Sequence, residues 1–202
     1  VRFYQKQFLQ RRDLAVALLL DVSGSTGNAP EGDSGAASGR RVIDLEKRAG
    51  LILGEGLAAI GDAFALYGFS GNGRENCDFF VYKELAEPFD AAARRRLLGA
   101  QPIAFTRMGV ALRHCRAKLA DWPARTKLVL LITDGKPEDS GYDPTGGYAQ
   151  HDVRKACEEC LRSDVKVVCI STQENARSDL ETMFPHRRYV ILEDMSRLAA
   201  VL

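Results

Sequence analysis

Long apolar segments are absent from this 202-residue sequence. The longest uninterrupted apolar run spans residues 14–20, whereas a membrane-spanning helix needs roughly 20 such residues. An excess of charge of one sign is absent too, because 28 basic residues face 27 acidic ones and leave a net charge of +1. A chain this balanced has no overall field that attracts nucleic acid or an anionic membrane. We therefore expect no nucleic-acid partner, no membrane insertion and a protein partner that is recognised locally.

A regular framework of paired cysteines is also lacking. The five cysteines are odd in number and irregularly spaced, which favours reduced thiols and a cytoplasmic location. Cys157 and Cys160 form the Cys-x-x-Cys pattern of some zinc and redox sites. Both lie on an apolar helical stripe and not at a helix start, so we expect them to pack in the core. Residues 1–12 contain no apolar secretory segment, and we expect them to be a basic lead-in from a longer parent protein.

Short apolar runs alternate with helical patterns along the chain. The runs are rich in Val, Leu and Ile, as in strands buried on both faces of a parallel sheet, and they cover residues 14–20, 63–69, 127–133 and 165–170. Residues 77–83 follow the turn-like sequence SGNGREN and predict an antiparallel hairpin at the sheet edge. The first helical stripe consists of Leu45, Ala49, Ile52, Leu53, Leu57 and Ile60.

This alternation predicts one α/β domain over residues 13–202. Its sheet should be doubly wound and mostly parallel, with helices on both faces. Residues 26–41 are rich in Gly, Ala and Ser, and they predict an insertion between the first strand and the first helix.

Carboxylates and hydroxyls gather at the predicted strand ends. Asp21, Ser23 and Ser25 follow the first strand, Asp134 follows the strand at 127–133, and Thr106 stands just before a helix. The carboxyl ends of parallel strands share one edge of the sheet, where doubly wound folds bind ligands. Two carboxylates and three hydroxyls, without a nearby Cys or His, suit a hard cation such as Mg²⁺. Helix capping is the alternative interpretation, because Asp, Ser and Thr are favoured at helix starts.

These short sequences resemble the metal-ion-dependent adhesion site of von Willebrand factor A (VWA) domains. The resemblance lies in DVSGS at 21–25, the threonine of FTRMG at 106 and ITDGKP at 132–137. It implies that Ser23 and Ser25 bind the ion directly, that Thr106 does so directly or through water, and that Asp21 and Asp134 act through water. Mn²⁺ or Ca²⁺ can substitute for Mg²⁺ in such a site. One position on the ion is left for an Asp or Glu of a partner protein.

A narrower resemblance covers most of the chain. The sequences IDLEKRAGLILGEGLAAIGDAFALYGFSGNGRENCDF, TRMGVALRHC and LLITDGKPEDSGYD are similar to the C-terminal VWA domain of NorD/CbbO-type proteins. Such proteins work with MoxR-class AAA+ ATPases and help to activate a target enzyme, nitric-oxide reductase in one branch and rubisco in the other. The resemblance implies a non-enzymatic adaptor whose partners are the ATPase hexamer and the target enzyme.

The segment at 136–150 has the length and irregular composition of a functional loop. It contains Tyr142 and Tyr148, a residue type that anchors protein interfaces, and we expect both to frame the partner-binding surface.

A Mg²⁺-dependent phosphohydrolase with Asp21 as nucleophile is the competing hypothesis. A haloacid-dehalogenase-like site needs a second acid two residues on, where this chain has Ser23, and Walker and dinucleotide glycine patterns are absent from the sequence. A third alternative is a vestigial metal site on a surface that serves assembly alone.

Overall fold

A six-stranded sheet forms the centre of the computed structural model, which describes residues 13–30, 41–135, 137–138, 147–171, 176–184 and 188–192. The strand order is β3-β2-β1-β4-β5-β6. β3 runs antiparallel to β2, and the other neighbours pair in parallel. The strands are β1 (Leu14–Asp21), β2 (Ala63–Asn72), β3 (Asn76–Lys83), β4 (Thr126–Thr133), β5 (Val165–Ser171) and β6 (Tyr189–Ile191). The predicted parallel sheet with an antiparallel hairpin at its edge is confirmed.

Helices cover both faces of this sheet. They are α1 (Val42–Ile60), α2 (Ala91–Leu98), α3 (Met108–Ala120), α4 (Tyr148–Arg162) and α5 (Arg177–Met183), and a short 3-10 helix spans Gly24–Gly27. Successive side chains of a strand point to opposite faces. Ala17 and Leu19 therefore pack in the core that contains α3, α4 and α5, whereas Leu18 and Leu20 pack in the core that contains α1 and α2. A strand buried on both sides requires an unbroken apolar run, which residues 14–20 supply.

Helix α1 buries part of the predicted stripe: Ala49 and Leu53 lie in the core, and Leu45 and Leu57 pack against it. Ile52 and Ile60 belong to that stripe but are 38% and 49% exposed, so the prediction was wrong for them. The buried positions are Val42, Ile43, Glu46, Lys47, Ala49, Gly50, Leu53 and Gly54. The two glycines explain the difference, because they let the backbone approach its neighbours closely. A Cβ at Gly50 would lie 3.3 Å from a Leu20 methyl, and one at Gly54 would lie 2.9 Å from the Phe89 ring.

Two further segments differ from the sequence predictions. Helix α4 begins at Tyr148, so the end of the predicted loop 136–150 is helical instead. Strand β6 was not predicted, because a run of three residues carries little periodic signal. Residues 1–12, Tyr142 and residues 31–40 of the predicted insertion lie outside the described residues. None of the helices in the described ranges combines the length and the apolar character that crossing a membrane requires.

The Cys-x-x-Cys pair packs in the core, as predicted. Cys157 is 7% exposed, Cys160 is fully buried, and both belong to the apolar cluster that α4 forms with α3 and the sheet. Burial raises the pKa of Cys157 to about 12 and that of Cys160 to about 11. Both thiols are therefore protonated at neutral pH. The five cysteines all lie in described ranges, and none forms a disulfide.

Candidate metal site

The predicted site residues meet at the carboxyl edge of the sheet. Asp21 is the last residue of β1, and Asp134 follows the last residue of β4. These strands are parallel neighbours in which Leu20 is paired with Ile132, so the two acidic residues leave the sheet side by side. The chain passes from β1 to β2 on one side, while β4 lies on the other. This edge is therefore a topological switch point, where open α/β sheets bind ligands.

Asp21 is held in one orientation. Its side chain is fully buried. One carboxylate oxygen accepts a hydrogen bond from the backbone amide of Ser23 at 2.9 Å, and the other accepts one from the Thr133 hydroxyl at 2.8 Å. Because both oxygens are engaged within the protein, the position of this carboxyl is set before any ligand binds.

Polar contacts connect four of the five predicted site residues. The Ser23 amide donates to the Asp21 carboxyl at 2.9 Å, the Oγ atoms of Ser23 and Ser25 lie 3.0 Å apart, and the Ser25 side chain is near enough to lower the pKa of the Asp134 carboxyl. The 3-10 helix after β1 brings the two serine hydroxyls together. Ser23 is buried and Ser25 is exposed, so the chain of oxygens begins beneath the surface and reaches solvent.

The fifth residue, Thr106, lies in a loop that is attached to the same edge. Thr106 is buried, and its backbone amide donates to the carbonyl of Glu138 at 2.7 Å, just beyond the end of β4. The same loop accepts a hydrogen bond at the Ala104 carbonyl from the amide of Gly24 at 2.8 Å. The Thr106 loop is thus joined to both segments that carry the other site residues.

Burial disfavours the charged forms of the Asp21 and Asp134 carboxyls. Burial raises the pKa of Asp21 to about 7, and the charge of Asp134 adds to this, whereas hydrogen bonds from Ser23 and Thr133 oppose it. Burial also raises the pKa of Asp134, with a further contribution from the charge of Glu138. Among the described residues, no Lys or Arg charge ranks among the main influences on the pKa of either carboxyl. A divalent cation at this edge would neutralise both groups.

The donor atoms fit a hard divalent cation. Hydroxyl and carboxylate oxygens are the ligands of Mg²⁺, whereas zinc sites of the thiolate and imidazole type need Cys or His. Within the described ranges, no group of three or more His, Cys, Asp or Glu side chains is placed to hold a metal ion. Hydroxyl groups must therefore complete any cation site here.

Comparison with protein families identifies the fold. The family model of the von Willebrand factor type A domain matches residues 15–201 of the chain. The chain belongs to this family. Membership supports an adhesion- or adaptor-type module that acts by binding other proteins.

Curated relatives are similar to this VWA domain over nearly its whole length. Protein NorD of Brucella suis is 36% identical over 193 residues, which cover 96% of the chain and 29% of the relative. Protein NorD of Stutzerimonas stutzeri is 36% identical over 197 residues, which cover 97% of the chain and 31% of the relative. The VWA domain thus spans less than a third of the length of these curated relatives.

Solved structures of surface proteins share the fold of this VWA domain. The PilB minor pilin of Streptococcus sanguinis superposes with a TM-score of 0.71 at 17% identity, over 94% of this chain and 59% of the pilin. The pilus adhesin SpaC of Lactobacillus rhamnosus GG gives a TM-score of 0.67 at 16% identity, over 95% of this chain and 30% of the adhesin. Identities this low show a common fold alone.

Thr133 and Gly135 support the site of the VWA domain but were not predicted from the sequence. The Thr133 hydroxyl bonds to Asp21 and accepts a hydrogen bond from the amide of Gly135 at 3.1 Å, so it joins β1 to the loop after β4. Gly135 has a φ of 113°, and a Cβ there would lie 2.5 Å from the Cβ of Ala176. Only glycine fits this turn without displacement. A polar residue that ends an apolar strand is the signal that could have identified Thr133.

Ser70, near the end of β2, was missed as well. It is 1% exposed, and its hydroxyl bonds to the carbonyl of Phe105 at 3.1 Å and to the carbonyl of Ile103. Phe105 also exchanges two backbone hydrogen bonds with Gly71, at 2.9 and 2.8 Å. These contacts fix the loop that carries Thr106.

The surface around the site combines an aromatic residue that was predicted with apolar residues that were not. Tyr148 is 60% exposed at the start of α4. Because α4 follows β4 and leads to the parallel strand β5, its start lies at the same sheet edge as Asp134. Phe105, which precedes Thr106, is 41% exposed, and Val110, in the first turn of α3, is 37% exposed. The role of Tyr148 at a partner surface stays a prediction.

Proposed function

We propose that this VWA domain is a Mg²⁺-dependent protein-binding module that recognises an Asp or Glu side chain of its partner. The residues that would hold the ion are Asp21, Ser23, Ser25, Thr106 and Asp134. Mn²⁺ or Ca²⁺ are substitutes with the same preference for oxygen ligands. When bound, the ion supplies a positive centre that attracts a carboxylate.

The proposal is carried by the chain of polar contacts that runs from buried Asp21 through Ser23 and Ser25 toward Asp134. Both hydroxyls in this chain are neutral, so they would coordinate a cation without reducing its charge. The exposure of Ser25 gives a partner access to the site. A carboxylate that binds there makes a short, charge-assisted contact inside a rim of exposed apolar and aromatic side chains.

We assign the module to a cytoplasmic activator complex that contains a MoxR-class AAA+ ATPase and a target enzyme, nitric-oxide reductase or rubisco. Support comes from the 36% identity to the NorD proteins of Brucella suis and Stutzerimonas stutzeri over nearly the whole domain. In this assembly the VWA domain acts as an adaptor, and its metal edge binds an acidic side chain of the partner.

The alternative, a phosphohydrolase that uses Asp21 as nucleophile, finds less support. A nucleophilic carboxylate must turn a free oxygen toward its substrate. Asp21 is fully buried, and each of its oxygens accepts a hydrogen bond within the protein. A non-catalytic adaptor agrees better with this burial.

Calorimetry with Mg²⁺ tests the metal site directly. The wild-type chain should bind the ion, and Ser23→Ala should lower its affinity by about tenfold or more, because one of the two paired hydroxyls is lost. Ser163→Ala is the matched control, since the Ser163 hydroxyl bonds to a helix carbonyl in an exposed position far along the chain. Equal affinity in wild type and Ser23→Ala would contradict the assignment, provided that circular dichroism shows both to be folded.

Surface-plasmon measurements in Mg²⁺ and in EDTA test the partner mechanism. Binding to the AAA+ complex or to its target enzyme should disappear in EDTA, and also when the contacting Asp or Glu of the partner is changed to Asn or Gln. Identical binding in both buffers would refute the adhesion-site mechanism. Turnover of a phosphate ester that vanishes in Asp21→Ala would favour the hydrolase instead.

A further inference from the structure

Glu46 on helix α1 is a buried acid without a role in the metal site described above. Its side chain is 0% exposed, and neither carboxylate oxygen has a hydrogen-bond partner in the described structure. Buried carboxylates are almost always paired or hydrogen-bonded, because burial without compensation strongly disfavours them. An apolar side chain would fill the same space without this penalty, so Glu46 needs an explanation outside core packing.

The packing of α1 places Glu46 near the metal site. A Cβ at Gly50 would lie 3.3 Å from a methyl group of Leu20, the residue before Asp21. Because α1 connects two parallel strands, β1 and β2, it starts at the carboxyl edge of the sheet and runs back along it. Glu46 lies one helical turn before Gly50 and therefore closer to that edge, at the level where β1 ends.

Charges around Glu46 agree with this position. Burial raises its pKa well above the usual range, and the charges of Asp21 and Asp134 raise it further. The charge of Glu46 in turn contributes to the raised pKa of Tyr82. The Tyr82 hydroxyl would be 2.5 Å from a Cβ at Gly68, on the strand beside β1. Glu46 is thus near enough for its charge to influence the Tyr82 phenol and to be influenced by the two site aspartates.

Three carboxyl groups consequently lie on adjoining elements at this edge of the sheet, and no Lys or Arg charge of the described residues ranks among the main influences on the pKa of Glu46. Glu46 is not close enough to the aspartates to form a cluster of acids that would ligate one ion directly. Mg²⁺ retains several water molecules in protein sites, and such water molecules donate hydrogen bonds to carboxylates of the surrounding shell.

We propose that Glu46 is a positioning residue of the divalent-cation site, a third carboxylate that acts through water and whose negative charge favours retention of the ion. This inference rests on the proposed function, since it requires a cation at Asp21 and Asp134. It adds to the site a residue that lies outside the sequence motif, on a different element of the fold.

Glu46→Gln tests the inference because it removes the charge and keeps the shape. Mg²⁺ affinity, measured by calorimetry at neutral pH, should fall about 10- to 100-fold, as for other residues that support metal ligands indirectly. The melting temperature in EDTA should stay the same or rise, since an uncompensated buried acid has been removed. Glu55→Gln is the matched control on the same helix. Glu55 is half exposed and pairs with Arg94, so its substitution should leave Mg²⁺ affinity unchanged.

Two further measurements separate the possible results. Glu46→Met should reproduce the loss of affinity if the charge matters, and it remains informative if the glutamine variant does not fold. Retention of wild-type Mg²⁺ affinity by a folded Glu46 variant, with loss of affinity in Ser23→Ala, would overturn the inference and leave the proposed function intact. Absence of Mg²⁺ binding by the wild-type chain would overturn both. A fall in the EDTA melting temperature without any change in affinity would indicate a structural role and would also overturn the inference.

Discussion

Replacing Thr133 by Val should show how much the fold depends on one hydroxyl group beneath the site. The residue is fully buried, and its hydroxyl bonds to Asp21 at 2.8 Å and to the amide of Gly135 at 3.1 Å. Valine has the same shape, so the change leaves two buried polar groups without this partner. Each such group costs about 1–3 kcal/mol. Because Asp21 keeps its bond from Ser23, we expect a total loss of roughly 3 kcal/mol in the free energy of unfolding.

Urea unfolding in EDTA, followed by circular dichroism, measures this loss without any contribution from a bound ion. For a chain of this size, the expected loss corresponds to a fall of roughly 6–12 °C in melting temperature. Mg²⁺ affinity should fall as well, since Asp21 is no longer oriented from below. Thr126→Val, at the exposed start of the same strand, is the control and should change stability by no more than about 0.5 kcal/mol. A Thr133→Val chain as stable as this control would refute the reasoning.

Three other predictions follow from burial and exposure. Thiol reagents should label half-buried Cys77 quickly, but Cys157 and Cys160 only after unfolding, because burial raises the pKa of the latter two thiols. Fast labelling of Cys157 or Cys160, or one tightly bound zinc ion per chain, would contradict their place in the core. In EDTA, the free energy of unfolding should fall between pH 4 and 7, because burial raises the pKa of Asp21 to about 7 in the folded chain, whereas the unfolded carboxyl loses its proton near 3.8. Asp21→Asn should reduce this fall by up to about 4 kcal/mol, and the raised pKa values of Asp134 and Glu46 should account for the remainder. An unchanged pH profile in that variant would exclude Asp21 as a cause. Phe105→Ser should weaken partner binding at constant Mg²⁺ affinity. Ile60→Ser, at the far end of α1, is the control and should change neither partner binding nor Mg²⁺ affinity. Equal effects of the two substitutions on partner binding would show that Phe105 is not in the interface.

The central strands were predictable because burial on both faces leaves a simple pattern. β1 and β4 each contain an unbroken apolar run, and an acid stands at or just after the end of each strand, where any parallel sheet would bring it to one edge. The positions of Asp21 and Asp134 therefore follow from the sequence pattern together with one rule of sheet topology. Their ligand role stays a prediction that the proposed calorimetry tests.

The buried face of α1 could be predicted only in part, through Ala49 and Leu53. Apolar periodicity predicts that Ile52 and Ile60 are buried and gives no such signal for Gly50. Close contact between Gly50 and Leu20 nevertheless turns the glycine side of the helix toward the sheet. That rotation also buries Glu46, which in the sequence is one of many charged helix residues. Such a residue becomes notable only when its distance from solvent and from partners is known.

Backbone hydrogen bonds join the segments that carry the site, and this has a consequence for metal binding. The amide of Val22 donates to the Phe69 carbonyl at 3.0 Å, and the amide of Ile103 donates to the Val22 carbonyl at 2.7 Å, so β1, β2 and the Thr106 loop are joined without any cation. The apolar sheet and these backbone hydrogen bonds therefore keep the buried carboxyls in position despite their mutual repulsion. An ion that enters such a preformed site should stabilise the domain in proportion to its affinity, by about 2.7 kcal/mol at a concentration of 100 times Kd, without changing the fold. Partner binding would then depend on exchange of a water molecule for a carboxylate at an already ordered edge, and not on folding of the loops around it.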